Sequence, residues 1–148
     1  MDRSQANAYV AELGQTLGID DLELNDEGMC MLALGDDELI VSLGLDATGG
    51  MRIMICLDDV VPMGSQLAEL LTENLADASS GGGTFALLPE TGALVVHRRC
   101  HAHDLQAGGL AEVLAGMASV ARHWREQLLA EAASSEPSEP HSFLEERA

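Results

Sequence analysis

The chain has 148 residues, 47% hydrophobic and 22% charged, enough to bury one core and too apolar to be disordered throughout. Its 25 acidic residues stand against 7 basic ones, all arginine, for a net charge of -18. That balance repels phosphate backbones and anionic membranes and argues against nucleic-acid and membrane-surface partners, while favouring solubility and basic or apolar ones.

The first residues, MDRSQANAYVAELGQTLG, lack the charged-then-apolar order of a signal peptide. No run approaches the roughly 20 apolar residues that span a bilayer. Cys30, Cys56 and Cys100 are odd in number and scattered, which suggests neither a disulfide framework nor a CxxC site. A reduced, cytoplasmic setting is expected.

In chain order, residues 3–18 read as an amphipathic helix with Tyr9, Val10, Leu13 and Leu17 on one face. Asp20-Asp21 and Asn25-Asp26-Glu27-Gly28 mark turns. Strand-like runs follow at 29–34, 38–45 and 51–57, separated by hairpin-length linkers. Pro62 precedes a second helix, 63–78, with Leu67, Leu70, Leu71, Asn74 and Leu75 on one side, ended by Ser79-Ser80-Gly81-Gly82-Gly83. Strands are expected at 84–89 and 93–99, then a long helix at about 105–131 whose first turns Gly108 and Gly109 weaken. From 132 to 148 the chain is rich in Glu, Pro and Ser and reads as an acidic disordered tail, in which Phe143 and Leu144 are the only sizeable apolar pair. The order α-β-β-β-α-β-β-α implies an α+β domain over 1–131, with three helices on a twisted, mostly antiparallel five-stranded sheet.

Strands with one wet face alternate apolar and polar residues. These do not. Met51, Ile53, Ile55 and Leu57 share one face of the third strand, yet Met54 and Cys56 accompany only Arg52 on the other. Met29 and Met31 oppose Cys30, Leu32 and Leu34, and Leu39, Val41 and Leu43 oppose Ile40 and Ser42. Both faces call for cover, which implies self-association, apolar surface awaiting a partner, or both. Seven methionines against four aromatic residues suit a surface that adapts to varied apolar ligands, although methionine also fills cores.

Motifs for chemistry fail on inspection. Residues 23–34 begin like a calcium loop but end on Leu34, where a bidentate glutamate is required. Gly81-Gly82-Gly83-Thr84 lacks the lysine of a phosphate loop. The stretch HRRCHAHD, His97 to Asp104, gathers three histidines, a cysteine and an aspartate. Were the strand to run through it, His97, Arg99, His101 and His103 would share a face, with Arg99 repelling any cation there and Cys100 opposite. The stretch reads as a strand end leading to the last helix, with Asp104 as its N-cap. No metal, cofactor or catalytic residue is expected. A metal-binding protein using His97, His101 and His103 is the minor alternative.

Three segments together resemble the class I type III secretion chaperones, the Tir chaperone family. They are Leu13–Ile19 running into Leu22–Cys30; Leu70-Leu71-Thr72-Glu73-Asn74-Leu75 followed by Phe85-Ala86-Leu87 and Gly92-Ala93-Leu94-Val95-Val96; and Ala121-Arg122-His123-Trp124-Arg125. The resemblance spans about residues 5–130. It implies a virulence-associated, non-enzymatic bacterial cytoplasmic homodimer that holds an extended N-proximal segment of a secreted effector ready for export, with the export ATPase as a candidate further partner. By position it assigns Leu67, Leu70, Leu71, Leu75, Phe85 and Leu87 to the dimer interface. It assigns Val10, Leu13, Leu17, Met29, Met31, Leu39 and Val41 to effector binding, partly by strand addition at a sheet edge. For each of these residues burial in the core is the competing reading. A regulatory or folding factor of the same fold outside secretion is the alternative function.

Overall fold

The computed structural model describes residues 1–76, 83–106 and 108–134. Helix α1 is Arg3–Leu17. Asp2 caps its start by accepting from the Gln5 amide at 2.8 Å, while the Gln5 side chain accepts from the Asp2 amide. Gly18 ends it in the left-handed region, φ 72°, which glycine adopts without steric cost. Strands β1 (Met29–Leu34), β2 (Leu39–Leu45) and β3 (Met51–Leu57) form a meander. Helix α2 (Ser65–Ala76), strands β4 (Thr84–Leu87) and β5 (Leu94–Cys100), and helix α3 (Gly109–Ser134) complete the chain. The sheet is antiparallel throughout, in the order β1-β2-β3-β5-β4.

The registers sort every strand residue to a face, because residues directly opposite in an antiparallel pair project to the same side. Cys30, Leu32, Leu39, Val41, Leu43, Met51, Ile53, Ile55, Leu94 and Val96 fall together and are buried. They form the core with Val10 and Leu13 of α1 and Leu114, Met117, Ala121, Trp124 and Leu128 of α3. Phe85 meets the Trp124 ring edge-on, centroids 5.6 Å apart, and so locks β4 to α3. Only one face of the sheet is thus covered. The other, expected to need cover as well, is open apart from Val95, which is buried.

Three ion pairs brace the hairpin ends. Arg122 holds Asp37 in the β1–β2 turn with contacts of 2.9 and 3.0 Å. Arg125 holds Asp59 just past β3 at 2.6 Å, and Arg99 of β5 holds Asp46 in the β2–β3 turn at 2.5 Å. Each guanidinium keeps its carboxyl below the ordinary carboxylate range, chiefly by hydrogen bonding.

Several boundaries differ from expectation. The last helix begins at Gly109, not near 105, because Gly108 and Gly109 both take positive φ, 79° and 62°, and break the chain's helical path. Ala102–Leu105 instead forms a single 3₁₀ turn. Asp104 therefore does not cap α3. Its carboxylate accepts from the His101 amide at 2.7 Å inside that turn. Helix α3 continues to Ser134, past the expected end at 131. Strand β4 stops at Leu87, where a turn closed by the Leu88 and Gly92 amides begins. Residues 77–82, with Gly81 and Gly82, and 135–148, with Phe143 and Leu144, lie outside the described residues.

Candidate binding surfaces

The two outer strands carry the first candidate features. In an antiparallel pair alternate residues direct both N–H and C=O toward the partner strand, and the others direct both away. The Leu45 amide donates to the Gly28 carbonyl at 2.9 Å, which sets Cys30, Leu32 and Leu34 as inward-bonding residues of β1. Met29, Met31 and Ala33 then point outward. The backbone of Met29 is satisfied by Asn25, whose side-chain oxygen accepts from the Met29 amide and whose amide donates to the Met29 carbonyl. Met31 and Ala33 have no outward backbone partner among the described residues. They present two successive free donor–acceptor pairs beside the Met31 side chain, which is 67% exposed.

At the other edge Phe85 and Leu87 of β4 point outward. The Asn74 carboxamide accepts from the Phe85 amide at 2.7 Å and donates to its carbonyl at 3.0 Å, taking the place a neighbouring strand would fill. Beyond this clamp the surface is leucine. Leu67, Leu70, Leu71, Asn74, Phe85, Ala86, Leu87 and Leu94 line one apolar groove between α2 and β4. Leu75, four residues after Leu71 on the same helix, is 88% exposed. Of the residues assigned to self-association, Leu70 and Phe85 form the buried floor, and Leu71, Leu75 and Leu87 stand exposed.

The residues assigned to effector binding divide. Val10, Leu13, Leu39 and Val41 are buried in the core of the single chain, as the competing reading of each had it. An apolar side chain at helix or strand spacing looks the same in sequence whether it lines a groove or a core. Leu17 is half-buried, and Met29 and Met31 are exposed. Sequence reasoning missed the roles of Asn25 and Asn74. The signal for Asn74 was an amide in line with four leucines on an otherwise apolar helix face.

The open face of the sheet is formed by Met29, Met31 and Ala33 of β1, Ile40, Ser42 and Gly44 of β2, Arg52, Met54 and Cys56 of β3, Val95, His97 and Arg99 of β5, and Thr84 and Ala86 of β4. Burial, with the Asp58 carboxylate 3.3 Å from its sulfur, pushes the Cys56 thiol up to about 11. It is therefore protonated at neutral pH and a poor nucleophile.

HRRCHAHD splits between two elements. Strand β5 ends at Cys100, which is buried on the covered face. Arg99 reaches Asp46 and Thr48 on one side and the His101 ring nitrogen at 2.8 Å on the other. The His101 and His103 rings stack 5.7 Å apart. Arg99 thus ties the β2–β3 turn to the end of β5. Among the described residues, no three side chains of His, Cys, Asp or Glu come together to hold a metal. No helix among them is long and apolar enough to cross a membrane.

The Tir chaperone protein (CesT) family matches the chain over residues 9–125. Among solved structures, a chain of the ExsC–ExsE complex is 26% identical, with a TM-score of 0.74 over 86% of this chain and 97% of that one. The Yersinia pestis type III secretion chaperone SycH, in complex with a stable fragment of YscM2, is 21% identical, with a TM-score of 0.66 over 80% and 98% of the two chains. A chain of the HopA1–SchA chaperone–effector complex is 20% identical, with a TM-score of 0.68 over 85% and 98%. These last two share the fold. No curated protein matches the chain in sequence.

Proposed function

The chain belongs to the Tir chaperone protein (CesT) family, and from that premise we propose that it is a bacterial cytoplasmic chaperone that, as a homodimer, binds an extended N-proximal segment of a type III secreted effector and keeps it competent for export. The observation that carries this reading is the pairing of two unlike uncovered surfaces: the bare backbone of Met31 and Ala33, and the leucine groove of α2 and β4. An extended segment satisfies the first by adding a strand, with main-chain hydrogen bonds for affinity and side-chain contacts for specificity. A second copy of the chain satisfies the second, since Leu71, Leu75 and Leu87 repeat across a two-fold axis.

The work is done by equilibrium binding, without catalytic turnover. Each Å² of apolar effector surface covered contributes about 25 cal/mol, set against the cost of ordering the segment. The strongly negative remainder of the surface keeps the loaded dimer soluble. A bound segment is held extended, and so stays unfolded for passage to the export apparatus and its ATPase.

Co-expression with the product of the adjacent gene, followed by mass measurement of the purified complex, tests the proposal. Two copies of this chain with one effector is the expected result. A monomeric chain that retains no secreted protein overturns it.

A further inference from the structure

The open sheet face has a charge pattern unlike the rest of the molecule. The chain carries 25 acidic residues, yet no position on this face holds one. Arg52 is exposed there and meets no carboxylate among the described residues. Arg99 is already neutralised by Asp46. His97, two residues across the sheet from Arg52, is held below the ordinary imidazole range by its burial and by that arginine, and is neutral at pH 7. Arg52 is therefore the uncompensated charge of the face. On its side of the face lie Met29, Met31 and Met54, with Ile40 further along the sheet. At the opposite end of β3, Ile40 and Cys56 give way to Glu38 and Asp58. The face thus runs from a cation through thioethers to a carboxylate rim.

Resting on the reading as an effector chaperone, we infer that the open sheet face docks an apolar segment of the bound effector that places a carboxylate on Arg52. Flexible thioethers accept varied apolar side chains, so they supply area without strict sequence selection. Arg52, the one cation of the face not paired with a carboxylate among the described residues, beside the Arg99–Asp46 pair, supplies the polarity of the match, favouring an acidic residue at one end of the segment. The remainder of the molecule repels the same residue. Selection of an acidic-apolar stretch by a protein of charge -18 is the opposite of what its overall composition suggests.

The test uses the full chain labelled with ¹³C at its methionine methyl groups. The probes are short peptides of alternating valine and serine with glutamate near one end, and their glutamine and lysine counterparts. Met29, Met31 and Met54 report on the face, and Met63, exposed beside α2, reports elsewhere. The expected result is movement of Met29, Met31 and Met54 with Met63 unchanged. Binding of the glutamate peptide should be about five- to tenfold tighter than that of the lysine peptide, with the order reversed in Arg52→Glu. Equal affinities for the three peptides, movement at Met63 alone, or no movement at all overturn the inference. It is likewise overturned if chain concentration alone shifts the face methionines, because the occupant is then a second copy. If removal of residues 135–148 shifts them, the occupant is the chain's own acidic tail. None of these outcomes alters the mass of the co-expressed complex, so the chaperone reading stands or falls separately.

Discussion

At β4 the outward backbone of Phe85 is held by Asn74 and the surface beyond is leucine; at β1 the backbone of Met31 and Ala33 is bare and the neighbouring side chain is methionine. Both regions expose apolar area, but they ask for different partners. A surface whose edge backbone is clamped at Phe85, leaving Leu87 alone without an outward partner among the described residues, and whose exposed side chains are leucines fits another folded surface, such as a copy of itself. A surface with unpaired main-chain donors and acceptors fits an extended chain. Exposure of hydrophobic residues alone does not separate the two. The state of the backbone beside them does.

The largest effect that sharpens this contrast is expected at α2. Replacing Leu71 and Leu75 together by glutamate puts carboxylates at the centre of the proposed self-association surface. It should weaken the dimer about 100-fold or more, as measured by light scattering across a dilution series. Because both side chains are exposed in the single chain, the melting temperature of the monomer should change little. Next in size is Asn74→Ala, which leaves the partly buried amide and carbonyl of Phe85 without partners and should cost about 1–3 kcal/mol in chemical unfolding. It also opens the β4 edge, so faster aggregation on heating is expected.

A proline at Ala33 probes the other edge. Its N–H points away from β2, so no ladder bond within the sheet is lost, and proline is tolerated on an outer strand. Ala33→Pro should reduce effector affinity about tenfold while changing stability by under about 1 kcal/mol, read by titration and thermal melting. A stability loss with unchanged affinity would mean that the edge serves the fold and not the ligand.

Acid separates the two edges by the smallest effect. The β1–β2 turn is braced by Asp37 on Arg122, and the carboxyl is held below its ordinary range. Asp46 and Asp59 are depressed in the same direction. Their contribution is complete above the unfolded carboxyl value near pH 4 and is lost as pH falls through the depressed folded values. Melting temperature should therefore fall most steeply below about pH 4. Hydrogen exchange should show the β1–β2 turn loosening before β4, whose Asn74 clamp does not titrate. Asp37→Asn should remove that difference.

Much of the fold was legible in the residues. Strands Met29–Leu34 and Met51–Leu57 fall where apolar runs between turn signals put them. What periodicity could not assign was the face. Both sides of β3 are apolar, so the sequence does not say which side α1 and α3 cover, and for Val10, Leu13, Leu39 and Val41 it left groove and core both open where the chain buries all four. The start of α3 was missed because Gly108 and Gly109 read as weak helix formers, whereas their positive φ lets the helix start only at Gly109. The asparagine clamps were missed for a different reason, although Asn74 stood out among four leucines. Each joins a side chain to backbone groups of a distant or neighbouring strand, and pattern analysis follows side chains alone.

In the proposed function the effector segment pairs with β1 while β4 and α2 meet a second copy. Amide hydrogen exchange of the dimer, with and without the effector segment, addresses it residue by residue. The account predicts new protection at the Met31 and Ala33 amides on adding the segment, with Phe85 and Leu87 unchanged. Protection gained at Leu87, with Met31 and Ala33 still exchanging as in the free protein, would contradict it.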